Sequence, residues 1–494
     1  MKRYRRTTLI TAGCVAVLAG LGLSRKLNIA PQIFLPSLIA TGCLLLLRPK
    51  NITGLILVVF LGLSLGLWRG DAYMQKLHVL HSHALQKVTI QATATSDSVY
   101  GNKSQIQFTA NNIQMIKPQP EPLGGSFKLS GFGEKMIYRG DRVEVAGTLY
   151  PSRGASQATI AYAQITRIGV GHNLLVDIGR RFSAGMQNAL PEPVASFAMG
   201  LLVGQRITLP QDVLMALTMT SLVHIVAVSG YNVTIIARAI ARLKLPSKYQ
   251  QLMLSLTFIG GFVIVTGFSA SIVRAAVVSL LTLWAWFYGR QIKPLVLISF
   301  VAALTGMISP FYVWGDLGWY LSFLAFFGVL VISPIITARL FSRPPKILTA
   351  VLLETFSAQL MTQPLIMMTF GQFSLVALIA NLMIVPLVSL GMLLSAIAAV
   401  AGVWAVPIAG WFALPARLLL TYMLDVVHVL ANVPSQFLHL TITPYMLVGF
   451  YAMILLVILA ANRHIHLKNA TPQQNLTLHN PIADYSAQVL QRGK

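Results

Sequence analysis

The chain has 494 residues, 55% of them hydrophobic and only 10% charged, with a mean hydropathy of +0.70. A soluble domain carries about 25% charged residues, so a soluble globular class is excluded and a polytopic α-helical membrane protein is expected. Its 37 Lys and Arg against 13 Asp and Glu give a net charge of +24, to which positive loop anchoring contributes and a polyanionic partner such as nucleic acid or anionic lipid would add.

Residues 1–7 are basic (Lys2, Arg3, Arg5, Arg6) and lead into an apolar run ending at Leu23. Two more apolar segments follow, about 32–47 and 51–68, so residues 1–69 read as an uncleaved three-span anchor and not as a signal peptide. Basic Arg48-Pro49-Lys50 then lies on the N-terminal side, inside, and residue 69 emerges outside; Arg25 and Lys26 fall outside, against the bias. Cys14 and Cys43, the two cysteines, lie in apolar runs and build neither a disulfide framework nor a zinc site.

Residues 70–170 are more polar and alternate with a period of two over 87–94, 103–116, 126–132, 141–149 and 157–168, with turns at Gly101-Asn102, Gly124-Gly125 and Arg139-Gly140-Asp141. This predicts a small five-stranded, OB-like β-barrel inserted on the outer side. Residues 171–221 read as interfacial helices: an amphipathic one over 172–190, a break at Pro191-Glu192-Pro193, and two short ones around a turn at Gly204.

From 222 to 462 the apolar segments recur at about 222–240, 250–267, 270–288, 294–312, 316–336, 347–369, 375–393, 394–410 and 444–462. Loops 238–248, 289–293 and 338–346 are basic, whereas those at 267–269, 309–315 and 371–374 hold no basic residue. That asymmetry sets the orientation. A helix over 411–435, carrying Arg417, Asp425 and His428, is expected along the outer face or as a re-entrant element. About twelve spans result, with both termini cytoplasmic and a polar, disordered tail over 463–494.

The polar residues inside these spans mark the functional candidates, because such groups face a bundle interior or a water-filled path. The stretch Thr220 to Ala237 holds His224, Ser229, Gly230, Tyr231 and Asn232. Ser271 and Arg274 follow one helical turn apart, then Asp316, Trp319 and Ser322, then Glu354 and Gln359 before Pro364, then Asn381 before Pro386. Arg274 requires a carboxylate, a carbonyl or a phosphate. Asp316 either pairs with it or caps a helix. His224 and Ser229 do not share a helical face, and no nucleophile elbow, His-Glu-x-x-His run or P-loop is present. Catalysis, a cofactor and a metal site are therefore not expected.

These pieces together resemble the ComEC-type competence proteins. The Thr220–Ala237 stretch is similar to that family's His-Leu-Leu-Ala-Ile-Ser-Gly-Leu-His-Val signature, and residues 200–209 to its upstream Gly-Glu-Arg turn. Residues 268–276 are similar to its Ala-Ser-x-x-Arg-Ala segment, 316–325 to its Gly-Phe-Gln-Leu-Ser-Phe segment, and 359–386 to its Gln-x-x-x-x-Pro…Asn-x-x-x-x-Pro segment. Asn232 stands where the family's second signature histidine is usual, and Tyr320 where its glutamine is usual. Asn232 keeps hydrogen bonds but cannot titrate near pH 7.

The resemblance implies an inner-membrane channel passing single-stranded DNA into the cytoplasm during natural transformation. Its implied partners are membrane lipid, a cytosolic helicase or ATPase motor and a separate nuclease. Many relatives carry a C-terminal metallo-β-lactamase-like domain; no His-x-His-x-Asp-His motif occurs here, so no nuclease activity is expected. On the barrel, Lys103, Lys128, Lys135, Arg139, Arg142 and Arg153 are the DNA-binding candidates. A transporter of another anionic solute and an intramembrane enzyme centred on His224 are the alternatives.

Overall fold

A computed structural model describes residues 4–27, 51–100, 105–123, 125–133, 136–151, 156–170, 174–205, 208–226, 233, 240, 243, 247–266, 270–290, 292–341, 343, 345–374, 376–433, 437–439 and 442–468. Among them, six helices are long and apolar enough to cross a membrane: Arg6–Ser24, Ile52–Gln75, Ala270–Phe287, Leu317–Leu340, Ile379–Trp404 and Val406–Ala431. Shorter apolar helices lie at Val194–Val203, Pro294–Ile308 and Pro444–Ile458. The chain is a polytopic helical membrane protein with an inserted sheet domain.

Helices α1 (Arg6–Ser24) and α2 (Ile52–Ser82) form one tight pair. Glycine makes the approach possible. A Cβ on Gly20 would run into the Leu63 carbonyl, and one on Gly66 into the Val17 carbonyl. Small residues at such a seam let backbones meet in the absence of a hydrophobic drive between helices in lipid. Gly13 faces Val58, Gly20 faces Gly66, and Ser24 faces Gly70. The two helices therefore run parallel. The span expected over 32–47 lies outside the described residues. At 31 residues α2 extends about 46 Å, well beyond a hydrocarbon core of about 30 Å, so its last turns project from the bundle.

Those projecting turns enter the sheet domain. Its strands are β1 (Lys87–Ala94), β2 (Val99–Tyr100), β3 (Ile106–Lys117), β4 (Glu121–Leu123), β5 (Phe127–Gly133), β6 (Arg142–Pro151) and β7 (Ala158–Gly169). The long strands run in the order β1-β6-β7-β5-β3, and β3 pairs back onto β1, so the sheet closes on itself. All long pairings are antiparallel except β5 with β7, where Leu129 sits opposite Ile160. The period-two pattern produces the expected burial: Ile90, Phe108, Phe127, Leu129, Val143, Val145, Ile160 and Ile165 point inward into one core. Tyr73, Leu77 and Leu80 of α2 complete that core.

After the sheet come α3 (Leu174–Ala189), α4 (Val194–Val203), α5 (Gln211–Met219) and the single turn α6 (Val223–Val226). Helix α4 stops at Gly204, whose φ of 77° is open to glycine at little cost. The remaining helices are α7 (Lys248–Val265), α8 (Ala270–Phe287), α9 (Pro294–Ile308), α10 (Pro310–Gly315), α11 (Leu317–Phe327), α12 (Ser333–Leu340), α13 (Ile347–Phe370), α14 (Ala377–Trp404), α15 (Ala409–Ala431) and α16 (Pro444–Lys468). A π-turn at Gly328–Ile332 joins α11 to α12, where Gly328 lies against the Ser357 carbonyl of α13.

Two expectations are corrected here. The segments 375–393 and 394–410 are not separate spans: α14 runs unbroken through Pro386. An interior proline is tolerated where neighbouring helices and local adjustments absorb the lost hydrogen bond. The polar helix expected on the outer face is α15, and Val406–Ala431 has the length and composition of a span. Its apolar side, Ala409, Ala413, Ala416, Leu420, Met423, Leu424 and Val427, is buried in the largest helical core, while Arg417, Asp425 and His428 occupy the rest of its surface. Two short strands, β8 (Gln372–Ser374) and β9 (Phe437–His439), pair antiparallel and tie together the segments after α13 and α15. The tail from 469 onward lies outside the described residues.

Candidate functional site

The chain places its polar candidates in two groups. The first centres on Arg274 in α8, which is 2% exposed. Its Nη2 donates to the Gly318 carbonyl at 3.0 Å, while Nε and Nη1 find no partner among the described residues. The expected ion pair with Asp316 is not formed. Asp316, 8% exposed, instead caps α11, accepting the Gly318 amide at 2.9 Å through Oδ1. The carboxylate still acts electrostatically on the guanidinium, so Asp316 serves both expected roles weakly: a cap by contact, a counter-charge at a distance. Trp319 is buried, its Nε1 donating to Thr305 Oγ1 at 3.0 Å and its ring packed edge-on to Phe323. Ser271 and Ser322 are half-buried in the same region. Beside Arg274, Ile272, Ala275 and Ala276 pack with Val233, which brings the far end of the signature stretch against this helix.

The second group is at α6. His224 is exposed, and its Nδ1 donates to the Ser221 carbonyl at 2.9 Å. A carbonyl only accepts, so the neutral ring carries its proton on Nδ1 and leaves Nε2 as an acceptor. Ile225 and Val226 pack in the core that also holds Ala380 and Ile384. That places Asn381, buried and donating to the Ala377 carbonyl at 2.7 Å, on the neighbouring helix. Ser229, Gly230, Tyr231 and Asn232 connect the groups in sequence and lie outside the described residues. Glu354 and Gln359 are half-buried on α13, whose contacts run to Gly328 and, through the Met361 carbonyl, to the Tyr451 hydroxyl on α16.

On the sheet domain, Lys128 and Arg142 are exposed; Lys103, Lys135 and Arg153 lie outside the described residues. Arg139 is committed elsewhere. Its amide donates to Asp97 Oδ1 at 2.9 Å and its guanidinium to the Ile264 carbonyl of α7 at 3.4 Å. Burial pushes the Asp97 carboxyl up from its ordinary range, opposed by the Arg139 amide and by nearby cations, and burial also lowers the Arg139 guanidinium. Beside them the fully buried Asp141 accepts from the Tyr138 amide at 3.0 Å and from Arg180 of α3 at 3.1 Å, with Arg167 at 3.9 Å.

Sequence reasoning missed the residues that join sheet to bundle. Arg69 donates to the Met307 and Ile308 carbonyls at the end of α9, and Arg25 to the Trp314 carbonyl. Cations at a helix C-terminus are favourable there. Trp314 donates to the Leu21 carbonyl at 2.6 Å, stacks edge-on with Tyr73, and packs on the sheet core. The available signal was the presence of Arg25 and Arg69 on the side that lacks basic residues elsewhere.

Residues 201–464 match the family described as "Competence protein". A 215-residue stretch, 43% of this chain, is 26% identical to ComE operon protein 3 of Bacillus subtilis (strain 168), and it spans 27% of that protein. No solved structure matches.

Proposed function

The chain belongs to the competence-protein family, and from that premise we propose that it is the membrane passage by which single-stranded DNA enters the cytoplasm during natural transformation. The observation that carries this reading is Arg274. A guanidinium sealed inside a helical bundle, with Nε and Nη1 meeting no partner among the described residues, costs several kcal/mol unless an anion meets it. A phosphodiester is such an anion, and Arg binds phosphate through a planar fork of donors. His224, exposed, offers a second contact, because the Nε2 of its neutral ring accepts from the N–H groups of bases and not from phosphate.

In this reading the sheet domain is an OB-like barrel on the outer side and both termini are cytoplasmic. The parallel course of α1 and α2 supports it, since both helices then deliver their C-terminal ends to the barrel. The strand is driven by a separate cytosolic motor, and a separate nuclease removes its complement. The test is uptake of labelled DNA by cells carrying Arg274→Ala or His224→Ala, with membrane insertion checked in parallel. Uptake should be lost in both while the protein remains in the membrane. Normal uptake in both variants would remove the assignment of this passage.

A further inference from the structure

Tyr162 has a backbone that tyrosine rarely adopts. Its φ is 53° in the middle of β7, a left-handed conformation that is a genuine outlier for a bulky residue. The register shows why. Leu129 pairs with Ile160 and Gly131 with Ala163, so an extra residue is accommodated on β7, and the β6 pairing slips at the same place. Such a bulge re-aims a side chain, and glycine would occupy the left-handed position without cost. Here the position holds a tyrosine, and its ring is 75% exposed. Strain of this kind is retained where the surroundings enforce it, and it gathers at functional sites.

The neighbouring strand presents a second ring. Phe132 of β5 is 47% exposed and sits opposite Gln164, two residues from Tyr162. Both rings lie on the outer face, since Leu129, Ala163 and Ile165 point into the core. Along the same face Gln164 and Thr166 are exposed, as is Lys128 earlier on β5. Two open aromatic rings with amide and hydroxyl groups between them and a lysine at the edge match the chemistry of a single nucleic-acid strand: bases stack on rings, polar edges are met, and phosphate meets a cation.

We propose that Tyr162 and Phe132 form a base-stacking platform for single-stranded DNA on the outer face of β5 and β7. This rests on the DNA-passage reading and names, within it, rings that the basic residues alone do not identify. The platform is sequence-tolerant, because every base has a π-face.

The test uses the full-length protein in detergent and a fluorescent single-stranded oligonucleotide. Tyr162→Gly removes the ring and relieves the left-handed backbone, so the fold is not penalised. Phe132→Ser removes the second ring. Each variant should weaken binding about tenfold, the scale of one stacked base, while the slope of affinity against salt stays as in the parent. Lys128→Ala should instead flatten that slope. Variants that bind like a DNA-binding parent overturn the platform and leave the passage reading standing. A parent that binds no single-stranded DNA overturns the platform together with the barrel's role in capture. A platform that loses affinity for soluble glycan fragments but keeps its affinity for DNA is a carbohydrate site, and that outcome also overturns the proposal.

Discussion

The sheet domain and the helical bundle treat buried charge in opposite ways. In the sheet domain Asp141 is enclosed, yet it holds the Tyr138 amide and two guanidinium groups. Asp97 holds the Arg139 amide. In the bundle, among the described residues, Arg274 keeps Nε and Nη1 unpaired, and Asp71 in α2 keeps Oδ2 unpaired. A folded scaffold satisfies its buried ions because an unsatisfied one is costly. The sheet domain is thus built as a finished scaffold, and the bundle leaves a buried guanidinium with two nitrogens unmet among the described residues. The bundle gains its cohesion differently, from backbone contact at Gly20, Gly66, Gly185 and Gly402.

The largest effect should come from removing the unpaired cation. Arg274→Met fills similar space without charge, so thermal stability in detergent should be unchanged or rise by up to roughly 4 kcal/mol. DNA uptake should fall by two orders of magnitude or more, the scale of about 3 kcal/mol lost on deleting a buried charge contact. A variant that is destabilised and still transforms would erase the contrast. In the sheet domain the same kind of change should act on stability. Asp141→Ala orphans the Tyr138 amide and two partly exposed arginines, and should cost about 2 kcal/mol after discounting for solvent. Faster amide exchange along β6 and β7 is the readout.

Gly66→Leu probes the backbone seam of the bundle. Overpacking against Val17 should cost about 1–3 kcal/mol, seen as faster proteolysis of the α1–α2 pair, with the sheet's exchange pattern intact. The smallest effect concerns pH. Burial raises the Asp97 carboxyl above its unfolded value, so the unfolded chain ionises first. Stability from this group is present below the unfolded value near 3.9 and is lost as pH rises through the raised folded value. Asp97→Asn should remove that slope from a stability–pH titration of the sheet; an unaltered slope would assign it to another group.

Most of the sheet was legible because period-two alternation survives wherever one face is buried. The expected segments 126–132 and 157–168 became Phe127–Gly133 and Ala158–Gly169. The helices were harder. The apolar run from 375 to 410 exceeds one span, and only packing shows that α14 continues through Pro386. Arg417 and Asp425 made α15 look too polar, although its buried side is continuous. At the site, the importance of Arg274 was readable from an arginine in an apolar run. Its failure to meet Asp316 was not, because the choice between capping and pairing is set by where α11 begins. Tyr162 was not legible, since the bulge shifts the alternation by one residue, with Ile160 and Ala163 both buried three positions apart, and the run Ile160-Ala161-Tyr162-Ala163 reads simply as apolar.

Trp314 stands two residues before Asp316, its ring against the sheet core and its indole N–H on the end of α1. Gly318, held by the Asp316 cap, carries the carbonyl that Arg274 uses. The sheet cannot tilt on its α2 mast without levering Trp314, and that lever arm is rooted in the turn of helix that keeps the guanidinium closed in. Displacement of the sheet domain is therefore linked to the buried cation through Trp314, the Asp316 cap and the Gly318 carbonyl.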